Sequence, residues 1–273
     1  MDFDIQAVID DILPVVEPYA KGRYAVSIGG STGKKIRADA SDLDFRLFAD
    51  DFHTENRREY VKAVTEKCDW WKKNHEIIID GVWPRSIPEM EIYIAKWQSG
   101  DLQNQDFVWT LHGYFVPSDL YNQYIVKDDY GVLKDWRDRL SVYPAAAKKA
   151  ILRKHGESLD YWRTDYHYKG KVERSDFIFT GMLTARLTHD IFMILFALNE
   201  TLYCGDGNNM KMAKNFVILP GSPEDFERRV NDILYPGGPE NQRRQYDELC
   251  SLIDDVMALC PDKIRATDPT FMM

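Results

Sequence analysis

An α+β fold follows from two patterns that divide the chain. The first half carries short stretches of strict apolar/polar alternation, LDFRLF at Leu43–Phe48 foremost, the period of a strand with one buried face. Beyond Lys127 the apolar residues recur at three- and four-residue spacing, the period of amphipathic helices. The expected architecture is an N-terminal sheet domain with flanking helices, residues 1–127, followed by a C-terminal α-helical bundle, residues 128–273.

Taken in order, Ile5–Val16 places Ile5, Val8, Ile9, Ile12, Leu13 and Val16 on one helical stripe. A strand is expected at Tyr24–Ile28, then a glycine turn at Gly29-Gly30-Ser31, then the second strand at Leu43–Phe48. Glu55–Lys73 reads as a helix with Tyr60, Val61, Val64, Cys68 and Trp71 inward. His75–Asp80 reads as a short strand ending at the Asp80-Gly81 turn signal. Pro88–Trp97 alternates again, with Met90, Ile92 and Ile94 opposite Glu89, Glu91 and Tyr93, so a third strand is expected there. The aromatic-rich stretch from Leu102 to Tyr124, which contains His112, reads as a short helix and connector closing the first domain.

The second half reads as helices at Val132–Leu140, Pro144–Tyr168 (interrupted at Gly156), Ser175–Tyr203, Ser222–Leu234 and Asn241–Cys260. Ser175–Tyr203 is the most apolar of these and is expected at the centre of its domain. No run of apolar residues approaches the length of a membrane span, and the acidic start MDFDIQ lacks the basic region of a secretory signal. The four cysteines, Cys68, Cys204, Cys250 and Cys260, show no metal-binding spacing, so a reduced, cytoplasmic setting is expected. A net charge of −9 argues against a nucleic-acid partner and suits a small cationic one.

The chemistry concentrates between Ser27 and Phe48. On the second strand Leu43, Phe45 and Leu47 share the apolar face, so Asp42, Asp44 and Arg46 share the other. Two carboxylates one strand-step apart, off the apolar face, are suited to holding a divalent cation. Upstream, the glycines let backbone amides approach an anion closely, and the Ser31 hydroxyl adds a donor. Ten residues separate Ser31 from Asp42. A Walker A loop is excluded, because Ile28 stands where its first glycine is needed and Lys35 where Ser or Thr should follow.

Strand, Gly-Ser turn, loop and Asp-x-Asp strand, in that order and spacing, resemble the DNA polymerase β-like nucleotidyltransferases. Met90-Glu91-Ile92, His112-Gly113, and Glu157 five residues before Trp162-Arg163 are similar to features of the aminoglycoside (kanamycin-type) branch. The resemblance implies a mixed sheet in the catalytic domain and a helical acceptor-binding domain. It also implies transfer of a nucleoside monophosphate from ATP or another triphosphate to a hydroxyl of a small, aminoglycoside-like acceptor, with release of pyrophosphate. Asp42, Asp44 and Glu91 (or Glu89 in the other register) would hold two Mg²⁺ ions. Gly30 and Ser31 would orient the triphosphate, and Lys34, Lys35, Arg37 or Arg46 would neutralise charge, Arg46 first. Glu157, or Asp160 one turn along, would take the acceptor's proton, and pairing of subunits into a homodimer is expected. The alternatives are transfer to a protein or RNA acceptor, and a non-catalytic nucleotide-binding partner protein.

Overall fold

The computed structural model describes residues 4–35, 41–101, 115–205 and 209–260. It is an α+β protein, divided into two compact units. Met1–Trp97 with Tyr114–Val142 form the first, and Gln98–Gly113 with Tyr143–Met273 the second.

Among the described residues the first unit is built on a four-stranded sheet, in the order β3 (Ile79–Ser86), β2 (Leu43–Phe52), β1 (Ala20–Ile28), β4 (Tyr124–Lys127). Helix α1 (Ile5–Val16) begins at Asp4, whose side chain accepts from the Gln6 amide, and buries Val8, Ile9, Ile12 and Val16. Strand β1 (Ala20–Ile28) runs antiparallel to β2 (Leu43–Phe52), both longer than the alternation predicts because their outer ends are polar. Between them lies a single turn, α2 (Gly30–Gly33). Helix α3 (Arg57–His75) buries Tyr60, Val64 and Trp71. With α1 it covers the face of the sheet that carries Leu43, Phe45 and Leu47, forming one apolar cluster. Val61, expected inward, is 52% exposed.

Two expectations fail between residues 75 and 99. Helix α3 continues to His75, and β3 occupies Ile79–Ser86, parallel to β2, so Asp80-Gly81 lies inside a strand. Leu43 pairs with Ile79 and Phe45 with Val82, so β3 carries one extra residue opposite Asp44. Gly81 takes φ +87 at that bulge, a backbone conformation that in a sequence looks like a turn. Pro88–Trp97 is not a strand but part of helix α4 (Ile87–Ser99). Its buried residues Ile87, Met90, Ile94 and Trp97 are spaced three, four and three apart, while Ile92 is 57% exposed. Pro88 sits in the first helical turn, where its missing N–H costs nothing.

Helix α5 (Val116–Tyr121) leads to the edge strand β4 (Tyr124–Lys127), which pairs antiparallel with β1. Helix α6 (Val132–Leu140) has the expected bounds but belongs to the first unit. It packs on α5 and β1, and its Trp136 is fully buried, meeting the Phe48 ring edge-on at 5.2 Å. The boundary therefore falls after Val142 rather than after Lys127. Phe48 is why β2 is covered on both faces.

The second unit is helical: α7 (Ala145–Thr164), α8 (Tyr166–Glu173), α9 (Phe177–Leu198), α10 (Asn209–Ala213), α11 (Pro223–Leu234) and α12 (Gln242–Leu259). The expected long helix breaks at Asp165, which caps α8 by accepting from the His167 and Tyr168 amides, and not at Gly156, which is buried inside α7. α9 packs against α7, α8, α10, α11 and α12. By length and composition it could cross a membrane, against the expectation that no apolar run is long enough. Of that apolar stretch, however, 72% is buried within the protein, the position of a core helix. Its polar groups are paired inside: Asp190 receives His155 Nδ1 at 2.6 Å and the Ser158 hydroxyl at 2.7 Å.

Candidate functional site

Three carboxylates converge at one end of the β2–β3 pair. Asp42, Asp44 and Asp80 each offer an oxygen, and these oxygens all lie within 4.8 Å of one another. Asp44 comes from the polar face of β2, Asp42 from the residue before that strand, and Asp80 from the bulge of β3 facing Asp44. Asp42 and Asp44 are half-buried and Asp80 exposed. Burial pushes the Asp44 carboxyl above the ordinary carboxylate range. Arg46 pulls it back down, while the charges of Asp42, Asp119 and Asp80 push it further up. Such a group of mutually repelling oxygen donors fits a hard divalent cation, which would relieve the repulsion.

The glycine turn is built against this trio. The Gly29 amide donates to the carbonyl of Asp44 at 2.9 Å, and Gly30 adopts φ +54 with no room for a side chain. Next to it, Ser31 Oγ and Thr32 Oγ1 are buried atoms without a hydrogen-bond partner. Unpaired buried hydroxyls cost free energy, and an incoming anion oxygen would satisfy them.

Arg46 lies on the same strand face, 6% exposed, with Nη2 at 3.6 Å from Asp44 and Nε at 3.6 Å from the buried carboxylate of Asp119. It faces acids, not open solvent. Lys34 is half-buried just after the turn and Lys35 is exposed, whereas Arg37 and His112 lie outside the described residues.

Glu91 does not join the trio. Placed on α4 rather than on a strand, its carboxylate accepts from Trp136 Nε1 at 2.5 Å and Arg139 Nη1 at 2.7 Å. Its role is to tie α4 to α6. Asp80 stands where Glu91 was expected. The Asp-Gly pair that disguised it as a turn was the only local signal, because a bulge glycine and a turn glycine look alike in sequence. Glu89 is exposed on the same helix. Glu157 belongs to the second unit, where it pairs with Arg153 at 3.0 Å on α7, and Asp160 follows one turn along that helix.

Comparison with known proteins adds little to this. Residues 118–205 match a family model described as Domain of unknown function (DUF4037), a stretch short of half the chain. It begins at α5 and so takes in Asp119, α6 and α7. No curated protein matches. Among solved structures, the chain is similar to a nucleotidyltransferase-like protein from Exiguobacterium sibiricum 255-15 at 7% identity and a TM-score of 0.44, over 91% of this chain and 74% of that one. At that score the likeness defines neither the fold nor the chemistry of this chain.

Proposed function

We propose that the first unit is the catalytic part of a metal-dependent nucleotidyltransferase, which moves a nucleoside monophosphate from ATP or another triphosphate to a hydroxyl of a small acceptor and releases pyrophosphate. The observation that carries this reading is the meeting of Asp42, Asp44 and Asp80 within 4.8 Å. Beside them lies a glycine–serine turn whose hydroxyls have no partner.

Asp42, Asp44 and Asp80 would hold Mg²⁺, which supplies charge neutralisation and polarisation at phosphoryl oxygens. The chain's own groups do the rest. Ser31 Oγ and Thr32 Oγ1 bind phosphate oxygens, and Gly30 keeps the turn low enough to lie on Asp44. Lys34, next along the loop, offsets the negative charge of the departing pyrophosphate. Arg46 enters as the partner of Asp44 rather than as a phosphate ligand. Glu157 takes the acceptor's proton on the strength of the resemblance, with Asp160 as the alternative. The acceptor, aminoglycoside-like by the same resemblance, is a small molecule rather than a nucleic acid because the chain carries a net charge of −9.

The test is Asp80→Asn beside the wild type, incubated with labelled ATP, Mg²⁺ and a panel of hydroxyl-bearing acceptors, with mass spectrometry for an added nucleotide monophosphate. A nucleotide adduct with the wild type and a loss of about 10²-fold or more in the variant is expected. Full transfer by Asp80→Asn removes the metal-site assignment.

A further inference from the structure

Behind the acid trio lies a fourth, buried acid that no part of the proposed chemistry uses. Asp119, on the first turn of α5, is 5% exposed, and its Oδ2 sits 3.6 Å from Arg46 Nε. The other end of the same guanidinium stands 3.6 Å from Asp44 Oδ1. One buried cation is thus shared between an acid of the trio and an acid outside it.

The surroundings of Asp119 are fixed by hydrogen bonds rather than by loose packing. Its carbonyl accepts from Gln123 Nε2 at 2.7 Å, and Gln123 Oε1 accepts from the Ser27 hydroxyl at 2.6 Å. Ser27 is the residue of β1 paired directly with Arg46 of β2. Arg137 of α6 donates to the carbonyl of Gln123 and, at 3.2 Å, to that of Tyr121. A Cβ built on Gly29 would stand 2.8 Å from Asp119 Oδ1, so this carboxylate also lies under the glycine turn.

We propose that Asp119 is a positioning residue for the cation site: it holds Arg46 back from Asp44 and so leaves the Asp44 carboxylate available to a divalent cation. This rests on the metal reading of Asp42, Asp44 and Asp80. A buried guanidinium seeks carboxylate oxygens, and Asp44, already 3.6 Å away, is within its reach. Without Asp119, Arg46 closes on Asp44 and occupies the oxygens that the cation needs. The site also loses one negative charge, which weakens cation binding in the same direction.

The experiment is calorimetric titration of the full chain with Mn²⁺, for the wild type, Asp44→Asn, Asp119→Ala, Asp119→Asn, and the double variant Asp119→Ala/Arg46→Met, each first checked for a cooperative thermal transition. Asp119→Ala is expected to weaken Mn²⁺ binding about tenfold, the size usual for outer-shell partners of a metal site. Asp119→Asn, which keeps the shape and is the safer variant for folding, moves the affinity in the same direction by a smaller factor. The double variant, with neither the competing cation nor its counter-charge, returns to within about threefold of the wild type. A merely structural role for Asp119 gives no such recovery, because the second substitution only adds damage, and a double variant as weak as the single one overturns the proposal. Unchanged affinity in both Asp119 variants, with Asp44→Asn abolishing binding, also overturns it and leaves the metal site standing. Absence of Mn²⁺ binding by the wild type overturns the metal reading itself.

Discussion

A methyl group on Gly30 would stand 1.8 Å from Oδ2 of Asp44. The glycine turn and the strand that carries the acids are therefore in contact at the one residue type that permits it, and Gly30 also needs φ +54.

Gly30→Ala is accordingly expected to injure the site twice. The side chain collides with Asp44, and the positive φ alone costs about 1 kcal/mol for a residue with a Cβ. Calorimetry with Mn²⁺ and with ATP checks this: both should weaken in the variant. An alanine variant that binds both as the wild type does would show that the turn does not rest on Asp44 in solution.

The acids are held together against their own repulsion, with burial and three neighbouring carboxylates raising the Asp44 carboxyl. Removing one charge should thus stabilise the metal-free protein, as often happens at a site arranged for function rather than stability. Asp44→Asn is expected to melt above the wild type in chelator. Saturating Mn²⁺ should reverse the order, since a ligand at a hundred times its Kd adds about 2.7 kcal/mol to a protein that binds it and nothing to one that does not. Melting curves in chelator and in Mn²⁺ measure both halves. A variant less stable in chelator would mean that Asp44 serves the fold more than the cation.

How much of this was legible beforehand depends on what each residue's neighbours are. Asp42, Asp44 and Ser31 could be read because their spacing along the chain and the alternation around them are local. α1 and α6 were found at their bounds because their apolar stripes are long and regular. Asp80 and Asp119 could not be read as candidates. Asp80 reaches the trio only through a bulge in a parallel pairing, and Asp119 only through the packing of α5 on Arg46. Glu91 misled because Met90, Ile92 and Ile94 satisfy a two-residue period, while the true contacts at Ile87, Met90, Ile94 and Trp97 satisfy a helical one. A short apolar run fits both.

Burial pushes the Cys260 thiol up to about 11, and its Sγ lies 3.7 Å from the carbonyl of Val256. A thiol reacts as its thiolate, and a raised value means little thiolate at neutral pH. Alkylation of Cys260 by iodoacetamide at pH 8, followed by peptide mapping, is expected to run about tenfold or more slower than for an exposed cysteine. Part of the lost thiolate is offset by the greater nucleophilicity of a more basic sulfur. The rate should still be climbing with pH beyond 10, where an ordinary cysteine has levelled off. Levelling by about pH 10 would show the sulfur to be solvated.

Glu91 stands apart from the acid trio. Its carboxylate joins Trp136 and Arg139 across α4 and α6, but it is 39% exposed, so the pair with Arg139 is screened and worth at most about 1 kcal/mol. Glu91→Gln keeps an acceptor for the Trp136 indole and should lower stability slightly while leaving Mn²⁺ affinity as it is in the wild type. Trp136→Ala empties a fully buried site against Phe48 and should cost about 3–5 kcal/mol. Urea unfolding of both variants, set beside Mn²⁺ titration, gives the two readouts. Loss of Mn²⁺ binding in a folded Glu91→Gln protein would return that carboxylate to the cation site. A cost below about 1 kcal/mol for Trp136→Ala would place α6 outside the first unit's core, and the boundary would move back toward Lys127.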